Sequence, residues 1–305
     1  MNSMNSVSRL DITRIFCDVD DFCQQWELHC SSQKQLPSKF REKRCKSRMS
    51  LSEIMTIVIA FHGSGFRTFK DFYTRFILVY ARKAFPKLVS YNRFVELMPW
   101  ALMMLHCFLN TTRGEITGIS FVDSTPLEVC CTPRAHSHKV FEGLVHWGKS
   151  STGWKYGFKL HLIINDKGEL LAFKLTPANV DDRKPVPEMS KGLWGKLFGD
   201  RGYVSSDLFK KLYDKGLELI SKSKKNMKNR LVKLMDKILL RKGALIESVN
   251  DQLKNICQIE HSRHRSIWNF LVNLFSGLIA YTYLEKKPSL DLEVKGLPSL
   301  PPAII

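Results

Sequence analysis

The sequence predicts an α/β protein: a mixed five-stranded sheet with flanking helices, preceded by a helical N-terminal region. Three observations carry this. Before residue 117 the apolar residues recur at helical spacing. From Gly118 on, short apolar or alternating runs lie between turn signals. The later elements follow the order strand, strand, strand, helix, strand, helix, strand, helix, so three hairpin-connected strands are followed by two helical crossovers. The expected partition is 1–117 helical, 118–284 α/β, and 285–305 a proline-containing appendage that is at most partly ordered.

In the N-terminal region Ser50 is a helix cap, and Leu51, Ile54, Met55, Val58 and Ile59 form one face; Gly63 and Gly65 end that helix. Thr68 caps the next, with Asp71 as capping-box partner and a stripe of Phe69, Phe72, Tyr73, Phe76, Ile77 and Tyr80. With Arg41, Lys43, Arg44, Lys46 and Arg48 beside them, the pair suits a helix-turn-helix reader of DNA, and equally an ordinary helical hairpin. A third helix, 91–109, is interrupted at Pro99 and apolar nearly all round, which predicts burial against the next domain.

The first strand, 119–122, is an apolar run ending on Asp123. Residues 131–152 are polar and rich in His, Ser and Gly, and read as a mobile loop. Alternation over 154–164 predicts a half-exposed strand, Asn165 to Gly168 a hairpin turn, and 169–175 the returning strand. A short helix follows Pro185, a strand over 197–199 again ends on an acid, Asp200, and Ser205 or Ser206 caps a helix to about Lys215. A strand over 217–220, a basic segment, and helices over 244–257 and 265–284 complete the reading.

Composition bounds the function. Apolar residues make up 44% of the chain, which excludes disorder throughout. No run approaches the roughly 20 apolar residues of a membrane span, and residues 1–9 have no apolar signal core, so neither a membrane nor a secreted protein is expected. The eight cysteines form no C-x-x-C pair and read as reduced thiols of a cytoplasmic protein. A net charge of +18 points to a polyanion, nucleic acid first.

The charge clusters. Between residues 222 and 242 lie Lys222, Lys224, Lys225, Lys228, Arg230, Lys233, Lys237, Arg241 and Lys242 against the single acid Asp236, directly before the helix over 244–257; Arg263, His264 and Arg265 extend the basic character. Such a run binds phosphates without reading sequence.

Asp123 and Asp200 are each expected at a strand's carboxyl end, where open α/β sheets place their sites. Glu247 is a third acid, on a helix where Asn250 or Asp251 and then Lys254 follow on the same face. Hard divalent cations want such oxygen donors and retain waters, and two of them can serve an in-line phosphoryl transfer, while Lys254 suits a phosphate. Asp181 and Asp182 are competing acids, assigned to a loop because the third strand is expected to end away from the site. His161 is either a DNA contact or a structural residue, the latter favoured, and Asp166 is a turn residue.

Four stretches together resemble the RNase H-like catalytic domain of bacterial insertion-sequence DDE transposases: Phe121-Val122-Asp123-Ser124-Thr125, residues 153–161, Gly199-Asp200-Arg201-Gly202-Tyr203, and 246–254. Within that family the resemblance is to the nine-eighty-two insertion-sequence group. The resemblance implies Asp123, Asp200 and Glu247 as a triad binding two Mg²⁺ or Mn²⁺ ions. It implies double-stranded DNA, both element ends and target, as the partner, cleavage and joining as the activity, and a homo-oligomer on DNA at the nucleoid. One departure stands out: many relatives carry a Tyr and an Arg shortly before the glutamate, where this chain has Leu240 and Gly243, with Arg241 as the available substitute. The alternatives are a nuclease of the same fold and an inactive DNA-binding remnant or regulator.

Overall fold

The computed structural model describes residues 10–32, 48–150, 153–222, 231–260, 264–290 and 302–304. In chain order the N-terminal helices are α1 (Ile12–Ser32), α2 (Leu51–Phe61), α3 (69–80, π-helical over Phe72–Ile77), α4 (Tyr91–Leu97) and α5 (Leu102–Thr111). Strands β1 (Ile119–Glu128), β2 (His146–Ser150), β3 (Gly153–Asn165) and β4 (Leu170–Pro177) come next. Then follow α6 (Val186–Met189), β5 (Gly195–Gly199), α7 (Ser206–Tyr213) and β6 (Leu217–Ser221). The last elements are β7 (Leu231–Lys233), α8 (Leu234–Arg241), α9 (Ala244–Asp251), α10 (Ile267–Thr282) and β8 (Pro302–Ile304). The chain divides into two compact units: Met1–Thr112 with Leu253–Leu284, and Arg113–Gln252 with Glu285–Ile305.

In the helical unit Ser50 caps α2 as its sequence predicts. Its hydroxyl accepts from the Glu53 amide at 3.1 Å, and the Glu53 carboxylate accepts from the Ser50 amide at 2.7 Å. The apolar stripe understates the burial of α2: Ser52, Thr56, Ile57, Ala60 and Phe61 are buried as well. This is a central helix, packed by α1, α10 and the turn Met98–Ala101. A first helix buried in this way has no free side to lay across a DNA backbone, so a helix-turn-helix reading rests on α3 alone. Thr68 caps α3, and the aromatic stripe of α3 knits it to α4, with Tyr73 and Phe94 ring centroids 4.7 Å apart.

The helical run Tyr91–Thr111 is long and apolar enough to cross a membrane by length and composition, which corrects the expectation that no run comes near that length. Phe94, Leu97, Leu105 and Phe108 are nevertheless interior, while Trp100 and Met103 are each 67% exposed, so the expectation of burial nearly all round does not hold. The expected α/β span, 118–284, includes residues 267–282. That helix packs instead on α2 and α5, because it is apolar on every side and needs partners around its circumference.

The sheet has six strands, one more than predicted. β1 pairs antiparallel with β3 and parallel with β5, and β5 pairs parallel with β6. β4 and β2 lie end to end along the other edge of β3, on its C-terminal and N-terminal parts. The extra strand, β2, lies in the segment read as a loop; its five residues, His-Trp-Gly-Lys-Ser, carry almost no alternation and are held by main-chain pairing to β3. One face of the sheet buries Val122, Ile163, Leu171, Leu197 and Leu219 beneath α6 and α7, whose Met189, Leu208 and Leu212 complete that core. α8 and α9 pack against β1, β5 and β6. Strand order β4-β3-β1-β5-β6 with helices on both faces makes this an RNase H-like fold. The C-terminal tail is not a free appendage, since β8 pairs antiparallel with β7.

Candidate active site

The parallel β1–β5 ladder ends with Phe121 opposite Phe198, whose rings stack with centroids 5.5 Å apart. Two residues further along the chain stand Asp123, on the same face of β1 as Phe121, and Asp200, one residue past the end of β5. Asp123 is not at a strand end, contrary to expectation: β1 continues to Glu128, paired throughout with β3. What stops is β5, at Gly199, so Asp123 sits where one side of β1 loses its neighbour.

Asp200 continues in extended backbone, and its Oδ1 accepts from the Gly202 amide at 2.8 Å, opening the turn Arg201–Tyr203. A Cβ at Gly202 would lie 3.0 Å from that oxygen, and one at Gly199 would lie 3.0 Å from the Tyr203 ring. A side chain at either glycine of Gly-Asp-Arg-Gly-Tyr would press on the Asp200 carboxylate or the Tyr203 ring and oblige it to shift by a few tenths of an ångström. Glu247 is exposed in the first turn of α9, which buries Ile246 and Val249 and docks on β1. One turn on, Asn250 donates from Nδ2 to Asp123 Oδ2 at 2.9 Å, and its Oδ1 is buried with no hydrogen-bond partner among the described residues.

The carboxyl group of Asp123 is pushed up to about 7, first by burial and then by the charges of Asp200, Asp182 and Glu247, against the opposing Ser124 backbone hydrogen bond. Asp182 therefore belongs to the acidic group, and its assignment to a remote loop is corrected. β4 is antiparallel to β3, but β3 is antiparallel to β1, so two reversals point β4 in the direction of β1 and its C-terminal loop reaches the same end. Lys159 holds that loop through Asp182 at 2.8 Å and the Val180 carbonyl at 2.9 Å. Asp181 is taken by Arg183 at 2.5 Å, which lowers its pKa. Tyr203, fully buried, has its phenol pushed up by burial and then by Asp123, Asp182 and Asp200.

The sequence names Tyr203 only as the end of the glycine-flanked motif; its burial beside the acids is a tertiary feature. His161 pairs opposite Ser124, one residue out of phase with Asp123, so it lies on the other face of the sheet. Its Nε2 meets the Thr176 hydroxyl at 2.8 Å, and burial lowers its pKa to about 4: it is a neutral structural residue. Asp166, read as a turn residue, accepts in addition from the Thr117 hydroxyl.

The expected phosphate contacts are placed less uniformly. Helix 244–257 is α-helical only to Asp251 and π-helical over Gln252–Ile256, where Lys254 pairs with Glu260 at 3.0 Å. Arg241 and Lys242 are exposed at the end of α8, and Lys222 is exposed after β6. Lys224, Lys225, Lys228, Arg230 and Arg263 lie outside the described residues. The acid of that segment, Asp236, is buried and paired with Lys196 of β5. His264 is held neutral by burial, with its pKa lowered to about 4.

Among the described residues no three His, Cys, Asp or Glu side chains form a closed metal-binding group. The donor set nevertheless fits a hard cation: Asp123, Asp200 and Glu247 offer carboxylate oxygens, and the orphaned Asn250 Oδ1 and the elevated Asp123 pKa mark polar oxygen lacking a counter-charge. No curated protein and no solved structure matches the chain. Residues 113–267, which contain Asp123, Asp200 and Glu247 and make up half of the chain, match the family model described as a transposase DDE domain, and the chain belongs to that family.

Proposed function

We propose that this protein is a DNA transposase that cuts the ends of an insertion sequence and joins them to target DNA, with Asp123, Asp200 and Glu247 as the catalytic triad. The observation that carries this reading is the shared electrostatics of the site: a half-buried Asp123 raised to about 7 beside Asp200 and Glu247, on elements that bring them to one end of the sheet. Among the described residues Lys159 pairs with Asp182 alone, and the charges crowding Asp123 are of the kind a divalent metal stabilises. Asp123, Asp200 and Glu247 would hold two Mg²⁺ or Mn²⁺ ions. Bound there, the metal supplies Lewis acidity that activates first water and then a DNA 3′-hydroxyl for in-line attack on phosphodiesters.

The chain's own residues do the rest. Asn250 fixes one oxygen of Asp123 and so sets its rotamer. The Gly202 amide fixes one oxygen of Asp200, and the other has no hydrogen-bond partner among the described residues. Arg241, Lys242 and Lys222, with the basic run between them, carry the DNA backbone; the helical region supplies further DNA contacts, and two active sites acting on paired ends make the working form an oligomer on DNA. Membership of the nine-eighty-two insertion-sequence group rests on the stretches around the three acids and is part of the same proposal.

The test is a cleavage and strand-transfer assay on the gene's flanking DNA with Mg²⁺ or Mn²⁺, comparing wild type with Glu247→Ala. Metal-dependent joined products from wild type alone support the reading. Cleavage without joining favours a nuclease, and binding without products from either protein favours an inactive remnant.

A further inference from the structure

We propose that the helical unit holds a binding site for an unpaired nucleotide of DNA, in a cavity of about 890 Å³ between α2, the start of α3, α4 and the start of α10. The proposal rests on DNA being the partner. The volume is that of a small-ligand site and exceeds what one nucleotide needs.

Three observations identify the occupant. Arg67, Lys70 and Arg265 line the cavity and are exposed, no acidic side chain lines it, and none of the three has an acidic partner among the described residues. The nearest carboxylate on α3, Asp71, is engaged by Thr68 and Arg75. The two histidines in the wall, His62 and His264, are neutral, so the charge is fixed and positive and suits phosphate. Tyr91 lines the cavity half-exposed beside Phe69, with ring centroids 6.4 Å apart, and offers an aromatic surface on which any base can stack, while Phe69 is engaged by the rings of Phe61, Phe72, Tyr73 and Phe94.

Asn269 adds an amide whose Oδ1 is buried without a hydrogen-bond partner among the described residues, an acceptor matched to a base N–H. A paired duplex backbone would account for the cations. It would leave the concavity, the Tyr91 ring and the orphaned amide unused, because a stacked and paired base cannot enter.

The experiment measures anisotropy of full-length protein with two probes of equal length: a fully paired duplex, and the same duplex with unpaired nucleotides at one end carrying 2-aminopurine. Wild type is expected to bind the second at least tenfold more tightly and to quench the 2-aminopurine. Tyr91→Leu and Asn269→Leu should remove both effects while leaving duplex affinity and the thermal midpoint within error; Arg67→Ala with Arg265→Ala should weaken the unpaired probe at least tenfold. Equal weakening on both probes would reassign the cations to duplex backbone and overturn the proposal, as would full retention of quenching in Tyr91→Leu. Displacement of the probe by equimolar free dAMP would overturn it in favour of a mononucleotide site. Binding of duplex without preference for unpaired ends sinks this inference alone, whereas binding of neither probe sinks the DNA reading beneath it.

Discussion

Asp123 in the sheet unit and His62 in the helical unit are both titratable groups taken out of water, and burial pushes each toward its neutral form. Their surroundings then diverge. His62 is 1% exposed, contacts the Cys257 carbonyl through Nδ1, and rests at a pKa of about 4 as a settled neutral ring. Asp123 has three further acids around it against two donors, the Asn250 amide and the Ser124 backbone, so its neutrality near pH 7 is precarious. The polarity of His62 is met internally, whereas Asp123 is left with a deficit that an external cation can fill. That contrast separates packing from function more clearly than burial alone.

The largest expected effect breaks the deficit itself. Asp123→Ala or Asp200→Ala should reduce DNA cleavage on the order of 10³-fold or more, the several kcal/mol that metal-assisted transition-state stabilisation supplies. DNA binding should change little, because Lys and Arg dominate phosphate contacts. Wild-type cleavage by either variant would remove the acid from the triad, and a simultaneous failure of binding and cleavage would mean the change reached the fold.

The contrast can also be sharpened by pH, since the buried histidines and Asp123 respond with opposite sign. For His62 and His161 the folded values near 4 lie below the unfolded value near 6.5, so the unfolded chain takes up protons first as pH falls. The stability present above about pH 6.5 is lost as pH falls toward 4, roughly 3 kcal/mol for each buried ring. For Asp123 the folded value of about 7 lies above the ordinary 3.8, so the unfolded chain releases its proton first as pH rises, and stability present at low pH is lost toward pH 7. Without metal, Asp123→Asn should therefore raise stability near pH 8 by about 2 kcal/mol, a value discounted for the partial exposure of the site. Mn²⁺ should raise the thermal midpoint of wild type more at pH 8 than at pH 5, and that of Asp123→Asn hardly at all. Equal metal responses at both pH values would contradict the assignment of the cation to this group.

A smaller effect tests the positioning amide. Asn250→Ala removes the 2.9 Å donor to Asp123 without adding charge and should weaken Mn²⁺ binding about 10- to 100-fold, the range typical of residues that orient a metal ligand. Calorimetry would measure this without turnover. Unchanged affinity would reduce Asn250 to a packing residue of α9.

How much of this is legible in the sequence follows from what period and composition report. Alternation over 154–164 and the glycine-flanked Asp200 are local signals, and both strand and acid stand where the sequence predicts them. β2 lacks alternation because it pairs along a short strand edge through its backbone, which leaves no trace in side-chain type. α8 is obscured differently: its buried Leu239, Leu240 and Asp236 lie within a segment whose nine basic residues suggest only a charged surface. Asp182 is misplaced by direction, since the orientation of β4 depends on two pairings that no single strand announces. Asn250 stands on the correct face by helical spacing, yet its bond to a residue 127 positions away is a tertiary fact.

The smallest expected effect concerns that basic surface and asks whether it belongs to the site or only to solubility. Changing Lys222, Arg241 and Lys242 to Gln neutralises three exposed cations outside the core, so the thermal midpoint should hold. Each phosphate left without its cation should lower the slope of log affinity against log salt by about 1, uniformly across DNA sequences, because released counterions carry no base information. Affinity measured from about 50 to 200 mM salt on two unrelated duplexes would distinguish the cases. An unchanged slope returns these residues to ordinary surface charge. A slope reduced on one duplex alone would mean base recognition, which point charges on flexible stems at the end of α8 are poorly suited to provide.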